Sequence, residues 1–188
     1  MKALGILAGP RKGWASDQML DKVLEGLKDN GADVEKIHLY DLDIRHCTGC
    51  GSCTPDKCVI EDDHQMVLDK VASSEVVVFA SPTYWSNVTS MAKAFIDRGG
   101  SLFEMTSTGP RRTADKPARV VLITSCGMPF PLSHLLGTAT GCIRAMKVFF
   151  GRMNVKIKTL YATGMLDYLK SKPSRRQLEK AYRMGKCL

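Results

Sequence analysis

The stretch EVVVFASPTYWSNV, residues 75–88, runs five apolar residues together and then breaks into a turn at Pro82. β-branched and aromatic side chains without polar alternation suit a strand covered on both faces, as in a parallel sheet flanked by helices. Working outward, comparable runs recur as ALGILA (3–8), VEKIHL (34–39), ARVVLITS (118–125) and VKIKTLYA (155–162). Helical periodicity fills the gaps. SDQMLDKVLEGLKDNG (16–31) puts Met19, Leu20, Val23, Leu24 and Leu27 on one face, with Ser16 as the expected N-cap and Gly31 just past the end. DHQMVLDKVASS (63–74), SMAKAFIDR (90–98), HLLGTATGCIRAMKVFFGRM (134–153) and the basic C-terminal segment also read as helices.

Strands alternating with helices imply βαβ units, hence an α/β fold with a parallel sheet. The run 34–39 carries Glu35, Lys36 and His38 and reads as an edge. The expectation is a flavodoxin-like three-layer sandwich whose five-stranded parallel sheet has the order 2-1-3-4-5. Ligands then bind at the carboxyl ends of strands one and three, where the strand order reverses.

The chain has 188 residues, expected to form a single domain over 1–188 with a cysteine-rich loop at 47–58. Its opening apolar run is too short for a secretory signal, and no segment has the length of apolar residues that spans a membrane. The cytoplasm is the expected compartment. The formal charge of +8 is concentrated in residues 140–188, where twelve Lys and Arg face Asp167 and Glu179. In KPSRRQLEKAYRMGKCL (172–188), Leu178, Ala181, Tyr182 and Gly185 recur at helical spacing, so the charges are read as the solvated face of a closing helix. That reading argues against a nucleic-acid interface, and an anionic partner or nucleotide is the alternative. The longest irregular region, residues 101–117, reads as a mobile lid or an oligomer contact.

Two loops meet at the expected switch point. After strand one, AGPRKGWAS (8–16) supplies Pro10, the cations Arg11 and Lys12, and Ser16 at a helix start, where amides and the helix dipole favour an anion. It lacks both G-x4-GK[ST] and G-x-G-x-x-G, so a single phosphate fits better than a dinucleotide. After strand three come Pro82, Thr83, Tyr84, Trp85, Ser86 and Asn87, two of them large planar side chains in an exposed turn. A flat ring lying against them, with its phosphate one strand away, describes flavin mononucleotide (FMN). After strand four, Gly127 offers a third wall.

GPRKGWAS resembles the GSPRKxGNT phosphate loop of the NADPH-dependent FMN reductase family, and SPTYWSNVTSMAKAFIDR (81–98) resembles its SPVYWxNVxxxxKxFIDR segment. CTGCGSC (47–53) followed by CVIEDD (58–63) is similar to the cysteine block of the iron–sulfur flavoprotein branch. The resemblance implies FMN held by the first, third and fourth loops, and a homodimer or homotetramer. Gly9 and Ala15 depart from the family's serine and asparagine, and each departure removes a phosphate donor.

Cys47, Cys50, Cys53 and Cys58 lie within twelve residues. In a reducing compartment their spacing points to a tetrathiolate site. A [4Fe–4S] cluster is the leading reading, with metal-free thiols and tetrahedral zinc as alternatives. Three functions follow. The first is an FMN-dependent oxidoreductase drawing electrons from ferredoxin or NAD(P)H through flavin and cluster. The second is a cluster-free NAD(P)H-dependent FMN or quinone reductase, and the third a zinc-binding adaptor without redox chemistry. No catalytic acid or base is assigned, and His46, His64 and His134 are left without a role.

Overall fold

The computed structural model describes residues 1–53, 58–106, 109–112, 117–166 and 172–188. In chain order these form β1 (Lys2–Leu7), α1 (Ala15–Asp29), β2 (Asp33–His38), α2 (His64–Ser73), β3 (Val76–Pro82), α3 (Ser90–Asp97), β4 (Phe103–Thr106), β5 (Gly109–Arg112), β6 (Arg119–Ser125), α4 (Leu132–Leu135), α5 (Thr138–Gly151), β7 (Lys156–Ala162) and α6 (Arg175–Lys186). Five strands pair in parallel in the order β2-β1-β3-β6-β7. Counted among themselves, that is the expected 2-1-3-4-5. Each apolar run becomes a strand within two residues of its expected bounds.

The pleat sorts the core into two layers. Leu4, Ile6, Val77, Phe79, Val120 and Leu122 face one side and pack with α2, α3 and α5 through residues such as Leu68, Phe95, Met146 and Phe150. Ala3, Leu7, Val76, Val78, Val121 and Ile123 face the other and pack with α1 and α6. From Val76 to Ala80, β3 is fully buried, which is why its sequence shows no polar alternation. β2 lies at the sheet edge, and its exposed residues explain its charges.

The closing helix α6 lies on α1 at a pair of glycines. A Cβ at Gly26 would stand 2.2 Å from the Tyr182 carbonyl oxygen, and one at Gly185 would stand 2.1 Å from that of Val23. The helix backbones therefore touch. Gly26→Ala or Gly185→Ala is expected to push the helices apart and cost about 1–3 kcal/mol, read as a lower urea midpoint at unchanged slope. Ser174 and Gln177 form a capping box at the start of α6. Arg175, Arg176, Lys180, Arg183 and Lys186 are exposed while Ala181 and Gly185 are buried, as the solvated-face reading requires.

Three local expectations are corrected. The N-cap of α1 is Trp14, and Ser16 sits inside the first turn. The helix read over 134–153 is two helices, because Gly137 takes a left-handed φ of +72° between α4 and α5. The region 101–117 is not irregular throughout, since β4 and β5 pair antiparallel within it. Residues 107–108 and 113–116 of that region, and 54–57 of the cysteine block, lie outside the described residues. Among the described residues no helix is long and apolar enough to cross a membrane.

Candidate functional site

The carboxyl ends of β1, β3 and β6 enclose a pocket lined by the loops that follow them. The loop after β1 contributes Gly9, Pro10, Arg11, Trp14, Ala15 and Ser16. Several contacts shape it. His38, at the end of β2, places Nε2 2.7 Å from the Gly9 carbonyl and Nδ1 3.0 Å from Asp41 Oδ1. The other Asp41 oxygen accepts from Lys12 Nζ at 2.5 Å. Lys12 and His38 together hold the Asp41 carboxyl below its ordinary pKa. Lys12 therefore points along the sheet edge and does not line the pocket. Arg11 does line it, its guanidinium 4.4 Å from the Trp14 ring centroid.

The first turn of α1 is fixed from beneath. Asp17 Oδ2 accepts the Gly13 amide at 2.6 Å, and Lys36 Nζ lies 2.5 Å from Asp17 Oδ1. Burial alone would lower the Lys36 pKa, but bonds to Asp17 and Asp21 outweigh it and raise it. No side chain caps the helix at Trp14, so its first-turn amides keep their capacity to bind an anion. Ser16 Oγ and Ser125 Oγ meet at 2.7 Å, joining the loop after β1 to the end of β6.

The loop after β3 supplies Pro82, Thr83 and Tyr84 to the pocket. Thr83 donates its amide to the Ser125 carbonyl at 2.8 Å, and its hydroxyl lies 2.9 Å from that of Thr124. Beyond it, Tyr84 and Asn87 exchange two backbone hydrogen bonds of 2.9 Å around Trp85 and Ser86, whose φ values are +50° and +60°. Two consecutive left-handed residues other than glycine cost on the order of 1–3 kcal/mol each. α5 braces this turn, for a Cβ at Gly141 would stand 2.2 Å from the Ser86 carbonyl oxygen. The turn aims Trp85 outward, fully exposed at the rim.

Of the residues the sequence pointed to, the pocket thus gathers Pro10, Arg11, Ser16, Pro82, Thr83, Tyr84 and Gly127, and leaves Lys12, Trp85, Ser86 and Asn87 outside its lining. Trp14, Ser125 and Met165 line it without having been anticipated, whereas Cys126, which lines it too, lies in the loop after β6 that the sequence already placed beside a flavin. Trp14 had a signal in its spacing from Arg11. Met165 had none, because it enters from the segment beyond β7, where Met165 N bonds the Cys126 carbonyl at 3.1 Å. Burial pushes the Cys126 thiol pKa up, against the opposing influence of Ser133 and Met128.

The cysteine block leaves the sheet after β2. All seven cysteines are free; Cys47, Cys50 and Cys53 are exposed and Cys58 is half-buried. Gly49 and Gly51 take φ of +65° and +71°, bending the backbone between the first three thiols. The Gly49 amide lies 3.4 Å from Cys47 Sγ. Burial raises the Cys53 thiol, and the neighbouring Cys50, Cys58 and Cys47 raise it further, so the four form one electrostatic group. In donor chemistry, and in the backbone bends between its first three cysteines, the block fits a tetrathiolate site. Among the described residues no three Cys, His, Asp or Glu side chains are already drawn together at metal-holding geometry.

At the base of the block, Arg98 and Asp62 form an ion pair with both side chains fully buried. Burial raises the Asp62 pKa, but the Arg98 fork and the amides of Arg45 and His64 bring it down to about 2 from 3.8. A lowered carboxyl pKa adds stability above the unfolded value and loses it as pH falls through the folded one. About 2 kcal/mol is therefore expected to vanish between pH ~4 and ~2. Urea denaturation across that range should show the loss, and Asp62→Asn should flatten it.

Residues 1–148 match the family described as NADPH-dependent FMN reductase. The chain is 46% identical over 99 residues to an iron-sulfur flavoprotein of Archaeoglobus fulgidus, covering 52% of this chain and 45% of that protein. It spans about half the length of the curated relatives it matches. Its fold superposes on an NAD(P)H:quinone oxidoreductase from Methanothermobacter marburgensis with a TM-score of 0.78 at 18% identity, covering 99% of this chain and 94% of the other. An FMN-dependent NADH-azoreductase of Bacillus anthracis in complex with FMN gives 0.73 at 19% identity, covering 98% and 95%.

Proposed function

Because the chain belongs to the NADPH-dependent FMN reductase family, we propose that it is an FMN-dependent oxidoreductase that passes electrons from a reduced donor to a small acceptor. The observation that carries this reading is the single pocket wall built from the β1, β3 and β6 loops, cationic at one end and flat along its sides. Arg11, the first-turn amides of α1 and the Ser16 hydroxyl hold the phosphate. Pro82, Thr83 and Tyr84 flank the ring on one side and Gly127 on the other, while Leu7, Cys126 and Met165 keep water from its apolar part.

Cys47, Cys50, Cys53 and Cys58 hold a [4Fe–4S] cluster in this proposal, supported by their free thiols, their grouping and the Gly49 amide aimed at Cys47. FMN, when bound, exchanges electrons singly or in pairs, and such a cluster exchanges them one at a time. Ferredoxin or NAD(P)H is then the donor, and the exposed cations of α6 suit an acidic ferredoxin. Exposed Trp85, Phe130, Leu132, Leu135 and Leu136 support a homodimer or homotetramer that covers them.

A second reading, a cluster-free NAD(P)H-dependent FMN or quinone reductase, draws on the family match and on a pocket whose lining comes from the ends of β1, β3 and β6 with the loops after them and from Met165. The visible spectrum of protein purified without oxygen separates the two. Flavin bands with a broad dithionite-bleached shoulder and ~4 iron atoms per chain support the cluster enzyme. Flavin bands without iron support the second reading, and a colourless protein that takes up no FMN refutes both.

A further inference from the structure

We propose that Arg98 is the positioning residue of the cysteine site, holding its loop closed and donating a hydrogen bond to one of its sulfurs. This rests on the cluster reading above. Arg98 ends α3, and its side chain is fully buried. One terminal nitrogen donates to the Arg45 carbonyl at 3.0 Å and to Asp62 Oδ2 at 2.5 Å. The other donates to Asp62 Oδ1 at 2.9 Å, to the Ile60 carbonyl at 3.0 Å and to Cys58 Sγ at 3.7 Å. Asp62 in turn accepts the Arg45 amide at 2.9 Å and the His64 amide at 3.1 Å.

The two stems of the loop thus converge on one guanidinium. Asp43 and Asp63 pair alongside, with the Asp63 amide on the Asp43 carbonyl at 3.0 Å and the Asp43 amide on Asp63 Oδ2 at 2.8 Å. Next to Arg98, Gly100 meets Cys53, whose Sγ would lie 3.6 Å from a Cβ placed there. The segment 98–100 therefore touches the thiols on both sides of the loop. A buried ion pair of this kind is retained at a desolvation cost, and here its geometry serves the loop that it closes.

The same helix begins at the other site. Thr89, the N-cap of α3, donates to the Ala8 carbonyl at 2.5 Å and accepts the Ala92 amide at 3.1 Å. With about 1.5 Å of rise per residue, α3 is a rigid strut of roughly 12 Å between the end of β1 and the cysteine loop. It fixes the separation of the two redox sites. The Arg98 charge is matched by Asp62, so what reaches the sulfur is its N–H donor, and a hydrogen bond to a ligand sulfur favours the more reduced, more negative cluster.

The test uses three reconstituted proteins: the parent, Arg98→Lys, and Arg98→Leu combined with Asp62→Leu, which leaves no unpaired buried charge. Iron retention against a chelator, cluster reduction potential and FMN content are measured on each. The double variant is expected to keep FMN, to lose iron at a chelator concentration roughly ten- to hundredfold lower, and to have a lower potential than the parent. Arg98→Lys keeps a cationic donor near Cys58 without the fork, so it should lose iron more readily but shift the potential less. Should the double variant fail to fold, Arg98→Lys decides by iron retention alone. Variants matching the parent in retention and potential overturn the role of Arg98 and leave the cluster reading standing. A parent that takes up no iron overturns both.

Discussion

Replacing Cys50 with serine is expected to strip the protein of iron while FMN stays bound. Cys50 sits between Gly49 and Gly51, both in left-handed geometry, so the backbone turns on either side of its thiol. The Ser52 amide heads the influences that lower the Cys50 thiol pKa. A serine hydroxyl stays protonated near neutral pH, and one lost thiolate of four opens the cluster to solvent. Among the described residues, the flavin pocket takes none from the cysteine block, which is why the two cofactors should separate. Iron and flavin per chain measured on one sample check this. Iron should fall from ~4 to well below one atom per chain at constant flavin, and unchanged iron would remove Cys50 from the ligand set.

The second large effect is expected at Arg11. Sequence offers two cations in the loop after β1, yet Lys12 is tied to Asp41 and only Arg11 of the two lines the pocket. Arg11→Glu removes a charge-assisted hydrogen bond worth about 1.5–3 kcal/mol and places a like charge near the phosphate. FMN affinity should fall about ten- to hundredfold or more. Riboflavin, which lacks the phosphate, should bind Arg11→Glu and parent nearly alike. Lys12→Ala should change FMN affinity little. Flavin fluorescence titrations read all of these, and equal losses for FMN and riboflavin would mean that Arg11 shapes the pocket without meeting a phosphate.

The sheet was legible because burial on both faces leaves an unmistakable composition: Val76 to Ala80 admit no polar side chain, and the charges of β2 mark the edge. Loop identity was legible for the same reason, since topology places the ends of β1, β3 and β6 together whatever their residues do. Side-chain direction was not. Trp85 reads as a ring wall from its type and position, but two consecutive left-handed residues turn it into solvent. Lys12 reads as a phosphate ligand until Asp41, from beyond β2, is seen to claim it. Met165 approaches from the far end of the chain and leaves no local pattern. Arg98 and Asp62 stood in quoted motifs, FIDR and IEDD, yet only the fold brings residues 36 positions apart into one fork.

One phosphate-accepting turn and one flat-walled turn enclosing a single nucleotide underlie every function proposed here. Titrating flavin-free protein with FMN and with riboflavin, following quenching of flavin fluorescence, tests that enclosure most directly. FMN is expected to bind roughly a hundredfold or more tighter than riboflavin, as two or more charge-assisted bonds to its phosphate require. Equal affinity for the two flavins, or quenching of neither, would contradict it.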